Sequence, residues 1–506
     1  MGEGQFAAIG FGAVNYIVVG VYLAGMLAIG WWIGRRVKDT KGFFIGGGKV
    51  NFILVGLSLL ATYLSALTMM AIPGAAFGPD NLLWSVQLPF LILTAIIITR
   101  FVLPRYREAG VVSVYEYLEK RIHVSSRLIG SATFIALSIG RMAIILYLPA
   151  LAFSIITGVD LTATVIVMGV VVTIYAVMGG IEAVIWTEAI QAVIFIFAAI
   201  LSILYVLGHV GMGDFMSVAR EHNKFQMLKW GTDFTQKLTL WFILQTIFET
   251  IRIYGTQQDM TQRYMTTEST AKANRSVWIA ILGYIPLGYI FYFIGTALFV
   301  YFTVNHDPNF DMLKTMGRRD AIYPYFVVKH LPVGLSGVII AAIFAAAMSS
   351  IAASMNSSAT VCVEDFYKRF RKPEGDIPPH EKKQTERHDL LVARSLTFLW
   401  GFVAIGVAYS LTKVGKQGQD LWGMIMGIST NGILGLMALA FLPFRVNKWA
   451  ALIGFASCYA CLFYIMYGTK IIFLLWPVIG NLVCFFVALG LHMIFFRTQS
   501  EEGEAA

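Results

Sequence analysis

Charge is scarce in this chain. Asp, Glu, Lys and Arg make up 13% of its 506 residues against 58% hydrophobic, and the mean hydropathy is +0.71. Such a composition excludes an ordinary soluble globular protein. Cysteine is sparse as well. Cys362, Cys458, Cys461 and Cys484 all fall in apolar runs, where a small polarisable side chain packs well. The Cys458/Cys461 spacing lacks the further ligands of a metal site. The eight histidines lie mostly in polar loops. No nucleophile–base pairing, metal-ligand cluster or phosphate loop is evident, which argues against an enzyme. The net charge of +9 is scattered over many loops and forms no aromatic-interleaved face, so no nucleic-acid partner is expected.

Long apolar runs are what the chain has in abundance. A spanning helix needs roughly 20 apolar residues, and about thirteen runs meet that requirement. They cover 13–35, 51–77, 82–103, 126–157, 161–179, 184–209, 236–258, 275–304, 324–363, 389–412, 419–443, 447–468 and 471–496. The predicted fold class is an all-α integral membrane protein. The first run lacks a basic leading region and a small-residue cleavage site, so it is expected to be a retained helix.

Orientation follows from Lys and Arg. Summed over alternate loops, roughly 25 basic residues fall on one side and about 11 on the other. The richer side carries Arg35, Arg36, Lys38, Arg105, Arg107, Lys368, Arg369 and Arg371. The positive-inside rule predicts an outside N-terminus and a cytoplasmic C-terminus, and the short loops fit a bacterial inner membrane. The charged, Pro-containing stretch 368–389 reads as a solvated cytoplasmic linker. The tail RTQSEEGEAA is expected to be too small for a signalling module.

Polar residues inside a span are costly, so each is a functional candidate. In the second span Thr62, Tyr63, Ser65 and Thr68 crowd together ahead of Pro73 and Gly74. Either the hydroxyls bond back to their own helix, or the helix unwinds and frees the carbonyls of Ala61 and Leu64 to line a cavity. Arg141 lies too deep to snorkel and needs an anion. That anion is either a buried acid, such as Glu249 or Glu188, or a substrate carboxylate or hydroxyl cluster. Glu249 and Arg252, three residues apart, share a helical face and neutralise each other. The run from Gly255 through Thr256, Gln257, Gln258 and Asp259 reads as a helix end at an aqueous boundary, fit for an inner gate. Finally, AAIFAAAMSSIAASMNSS at 341–358 puts hydroxyls among small residues. It suits either close helix contact or oxygen ligands for a hard cation.

At these residues the chain resembles the sodium/solute symporter family, which includes sodium/glucose, sodium/iodide and sodium/vitamin cotransporters. The likeness rests on FFIGGGK, SVYEYLEKR, MGGIEAVIWTEAIQ, QQDMTQRY and AAMSSIAASMNSSATVCVED, which occur in the family's order over nearly the whole chain. IGR followed by an apolar run, MGGIE and QD..QRY bring it nearest to the bacterial sialic acid symporters. The resemblance implies a five-plus-five inverted repeat behind one extra N-terminal helix, with the second and seventh spans as discontinuous partners at the substrate site. Residues 1–50 would then hold the extra helix, 51–209 the first repeat, 210–443 the second with the linker 364–389, and 444–506 the C-terminal helices.

Carried over, the family's sodium site implies the carbonyls of Ala61, Leu64 and Ala346 with the hydroxyls of Ser349 and Ser350. A second sodium site would fall on Glu188, Ala352 and Ala353, where two hydroxyl ligands are missing, so one sodium per cycle is expected. The implied substrate contacts are Ser65, Thr68, Gln87 and Arg141, with Tyr63 and Phe248 beside them. Tyr63 stands where the sialic acid members have a threonine, and Leu83 where they have an aromatic residue.

The expected function is sodium-coupled symport of a small organic solute by alternating access. The first choice is sialic acid or a related sugar acid; a neutral sugar, a polyol or a short monocarboxylate is the alternative. One charge moved through 100 mV yields about 2.3 kcal/mol and a tenfold sodium gradient about 1.4 kcal/mol. One sodium therefore drives a neutral solute further than a monoanion, whereas Arg141 favours a carboxylate. A passive channel or a transport-derived sensor would be a different class; a channel would show flux without sodium-driven accumulation. Sodium is the only cofactor expected, and lipid, sodium and a small solute are the partners.

Overall fold

The computed structural model describes residues 10–35, 39–308, 310, 313, 319–370, 379–413 and 431–496. The described residues are helical wherever they are regular, and no strand occurs among them. Nine helices among them are long and apolar enough to cross a membrane, and a bent pair adds up to one more. The molecule is thus a multi-pass helical membrane protein.

The principal helices are α1 (Ala13–Gly34), α2 (Phe52–Tyr63), α3 (Ala66–Phe77), α4 (Leu83–Ala109), α5 (Val114–Arg121), α6 (Val124–Thr157) and α7 (Leu161–Val210). They continue as α8 (Thr239–Thr256), α9 (Gln258–Met265), α10 (Thr270–Val304), α11 (Leu335–Phe370), α12 (Pro379–Thr412), α13 (Lys448–Gly468) and α14 (Phe473–Phe496). Their starts are set by side chains that accept a first-turn N–H: Asn51 for α2, Ser113 for α5, Asp160 for α7 and Ser269 for α10. Lipid-facing surfaces are apolar, as Val21, Leu204 and Tyr467 illustrate, each more than half exposed. The most completely buried helix is α11, where every side chain from Ile339 to Val361 is enclosed.

Several boundaries differ from those expected. The fifth and sixth runs follow each other without a loop as the two segments of α7, parted by a kink where Gly180 leaves the helical conformation with φ 58° against Phe43. The ninth run divides into Ile322–His330 and α11, because Pro332 and Gly334 interrupt it. Of the eleventh run only Ile433–Ala440 is helical among the described residues, and 414–430 lie outside them. The linker is shorter than expected, since α11 continues to Phe370 and α12 begins at Pro379, and 371–378 lie outside the described residues. Asp365 is fully buried and accepts hydrogen bonds from Arg127 at 2.6 and 2.8 Å, Ser113 at 2.7 Å and Ser131 at 2.5 Å.

Two close contacts at glycines fix α10 against the broken second span. A Cβ at Gly56 of α2 would come within 2.7 Å of Ile279, and one at Gly295 of α10 within 2.3 Å of the Pro73 carbonyl in α3.

Candidate functional site

Two helix breaks face each other across the centre of the molecule. The first is at Leu64 and Ser65, whose backbones are extended, and α2 and the following helix diverge there by 52°. The Ser65 N–H turns to the Thr68 hydroxyl at 3.3 Å, leaving the Ala61 carbonyl without its helical partner. The hydroxyl cluster therefore caps a new helix start. The second break is at Gln257, extended between α8 and α9. Here the expected aqueous boundary is overturned: every residue from Tyr254 to Met260 is buried. The freed backbone is met by protein instead of water. Tyr106 donates to the Gly255 carbonyl at 2.5 Å and Tyr115 to the Thr256 carbonyl at 2.9 Å, while Gln258 bonds the Val114 N–H and the Val112 carbonyl, each at 2.8 Å.

Between the breaks lies a cavity of about 350 Å³. Tyr63, Ser65, Thr68, Gln87 and Arg141 line it, as do Trp84, Tyr284, Tyr292, Gln257 and Met260. Asp80, Lys237, Arg319 and Asp320 line the end near the loops that carry them. Gln87 is held in place, accepting from Thr246 at 2.8 Å and donating to Tyr292 at 3.3 Å. Tyr63 stands edge-on to Tyr284 with ring centres 4.5 Å apart. Five of the six expected substrate residues thus share one wall system. Phe248 does not: the lining face of α8 is Glu249, Arg252 and Ile253, and Phe248 is half-buried outside it.

Leu83 is also displaced. The first turns of α4 are a 3-10 helix over Leu83–Phe90, so Trp84 and Gln87, three apart, share the cavity face. Leu83 instead packs with Leu238, Trp241 and Phe242.

A chain of charges runs behind the cavity. Arg141 donates to Asp259 at 2.6 Å and to the Thr62 carbonyl at 3.2 Å, bridging the two breaks. Neither acid considered for it is the partner. Glu249 pairs with Arg252 at 2.6 Å, as their spacing predicts. Glu188 pairs with Arg263 at 2.7 Å and also accepts from Ser58 and Thr62. Asp259 and Arg263, both from QQDMTQRY, were missed as site residues because their partners lie far away in sequence.

The small-residue segment brings three of its expected sodium ligands together. The Ser349 hydroxyl lies 3.0 Å from the Ala346 carbonyl and 3.4 Å from that of Ala61. The Ser350 hydroxyl is buried with no hydrogen-bond partner among the described residues, as an oxygen waiting for a cation would be. Leu64, at the break, is fully buried beside Ala61. No cluster of three or more His, Cys, Asp or Glu side chains occurs among the described residues. A cation here would rest on carbonyls and neutral hydroxyls. At the second location Glu188 is already occupied by Arg263, and Ala352 and Ala353 are buried with no hydroxyl to offer.

The model of the sodium:solute symporter family matches residues 43–457. Among curated relatives, the sodium/sialic acid symporter NanT of Aliivibrio fischeri is 32% identical, covering 94% of this chain and 92% of that protein. SiaT of Proteus mirabilis is also 32% identical, over 93% of each. The human sodium-coupled monocarboxylate transporter 1 is 29% identical over 89% of this chain and 73% of its own. A solved substrate-bound, outward-open Na+-coupled sialic acid symporter superposes with TM-score 0.86 at 29% identity, covering 96% of this chain and 98% of that one. With two broken helices around a cavity and a match over most of its length, the chain belongs to the sodium:solute symporter family, and is a sodium-coupled membrane transporter rather than an enzyme.

Proposed function

We propose that this transporter carries sialic acid or a related sugar acid together with one sodium ion by alternating access. The observation that carries the reading is the cavity between the two helix breaks, where Ser65, Thr68, Gln87 and Arg141 converge. Arg141 retains N–H groups beyond those given to Asp259 and Thr62, and a forked guanidinium suits a carboxylate. The names of the relatives NanT and SiaT support the same class of solute. Sodium would be held by the carbonyls of Ala61, Leu64 and Ala346 and the hydroxyls of Ser349 and Ser350, a weak neutral site suited to a reversible coupling ion. Bound at the junction of α2 and α11, it would favour one state over another by its differential affinity.

In this reading the described helices belong to a thirteen-span molecule whose inverted repeats cover 51–209 and 210–443 after an extra helix in 1–50, with residues 444–506 completing it. The N-terminus is outside, the C-terminus cytoplasmic and the membrane a cell inner membrane. The cavity then faces outward: Asp80 and Lys237 belong to its mouth, and the Tyr106, Tyr115 and Gln258 hydrogen bonds form the inner seal.

A neutral sugar is the second reading, favoured by one observation: the charge of Arg141 is already met by Asp259. Uptake into proteoliposomes separates the two. Labelled N-acetylneuraminate, glucose and a short monocarboxylate are offered with an inward sodium gradient and a clamped potential. Sodium-driven accumulation of N-acetylneuraminate, indifferent to potential, supports a one-sodium acid symporter. Potential-dependent accumulation of the sugar alone overturns the acid reading.

A further inference from the structure

Arg141 stands between the cavity and Asp259. Arg141 is part of the wall, as are Gln257 and Met260 on either side of the acid, but Asp259 itself is not. The Asp259 side chain is 1% exposed against 12% for Arg141, so the acid backs the guanidinium from the protein side. The other cation–acid pairs at the cavity are arranged differently: Lys237 meets Asp80 and Arg252 meets Glu249 within the wall itself, both partners facing the cavity. Arg141 alone among these shows the cavity its cation while its anion is hidden.

Asp259 also has a second means of support. It lies in the first turn of α9, where the unpaired N–H groups of a helix start favour a negative charge, and its other oxygen accepts from the Met260 N–H at 3.1 Å. The carboxylate therefore does not depend wholly on Arg141. Arg141 in turn has a second partner in the Thr62 carbonyl at 3.2 Å.

We propose that Asp259 is an internal competitor for the carboxylate of the substrate: it holds Arg141 while the cavity is empty, yields its 2.6 Å contact when an acid enters, and so sets how strongly the site prefers acids to neutral sugars. The idea rests on the reading that Arg141 meets a substrate carboxylate. Asp259 is a specificity-determining residue that acts through Arg141, without touching the substrate.

The test compares binding of N-acetylneuraminate with that of N-acetylmannosamine, which has no carboxylate, to the full-length protein in saturating sodium. In Asp259→Asn the preference for the acid over the neutral sugar is expected to rise by about tenfold, since close charge pairs couple at least that strongly. An unchanged or smaller preference overturns the proposal. Should Asp259→Asn not fold, the wild-type structure with N-acetylneuraminate decides. An Arg141–Asp259 separation beyond hydrogen-bond reach supports the competitor, and a retained 2.6 Å contact overturns it. Wild-type protein that binds no N-acetylneuraminate defeats the transport reading alone. The competitor then predicts that Asp259→Asn acquires acid binding, and falls if it does not.

Discussion

Arg263 grips Glu188 with two nitrogens, Nη2 at 2.7 Å from Oε1 and Nε at 3.0 Å from Oε2, and neither side chain is exposed. The pair joins α9 to the middle of α7, and Ser58 of α2 bonds both members. Removing one partner leaves an uncompensated buried charge, at a cost of about 3–5 kcal/mol. Glu188→Gln and Arg263→Gln are each expected to melt well below wild type in detergent, and the double variant to recover most of the loss. Singles as stable as wild type would show that the pair contributes little.

The same pair bears on stoichiometry. A guanidinium already neutralises the only carboxylate at the second location, so sodium dependence of uptake is expected to have a Hill coefficient near one. A coefficient near two, with two sodiums counted per solute, would require Arg263 to leave Glu188 during the cycle.

Ser350 offers a clean probe of the sodium ligands. Its hydroxyl has no hydrogen-bond partner among the described residues, so Ser350→Ala removes no hydrogen bond seen in the structure. The expected result is an unchanged melting temperature without sodium and about a tenfold higher sodium requirement for half-maximal uptake, the value of about one good ligand contact. An unchanged sodium requirement removes Ser350 from the site.

Tyr63 lines the cavity. It packs edge-on against Tyr284, and its ring centre is 5.7 Å from that of Tyr254. Tyr63→Thr gives up an aromatic pair worth about 1 kcal/mol and widens the wall beside Ser65. A modest fall in melting temperature with relatively better binding of bulkier sugar acids is expected. Equal losses for small and large ligands would show that the ring contacts the solute instead of limiting it.

The proposed inner seal is testable at Gln258. Its amide holds the Val114 N–H and the Val112 carbonyl, so Gln258→Ala leaves one buried and one partly buried backbone group unpaired, at about 1–3 kcal/mol for the buried one. If that cost falls on the outward-facing state alone, the population shifts inward and sodium binds more weakly. A variant with wild-type sodium affinity would show that the seal contributes equally to both states.

Part of this site was legible in the sequence. Four polar side chains within seven residues ahead of Pro73 point to the break at Leu64 and Ser65, because an uninterrupted apolar helix has no use for them. Glu249 and Arg252 pair as their three-residue spacing requires. The Arg141 partner was not legible, because burial says that an anion is needed but not which of several distant acids the fold delivers. Leu83 was singled out by family position alone, which does not anticipate the three-residue repeat that turns Trp84 and Gln87 to the cavity. Polarity misled at Gly255–Asp259, where hydrophilic residues serve a buried break and not a water boundary.

The glycine contacts of α10 have a mechanical meaning. α10 packs Ile279 onto Gly56 of α2 and sets its own Gly295 against the Pro73 carbonyl of α3, one close contact on each side of the break. It acts as a splint across a fracture. The two half-helices are braced against flexing at Leu64, so opening and closing the cavity is expected to carry α2, α3 and α10 together as one stiff lever.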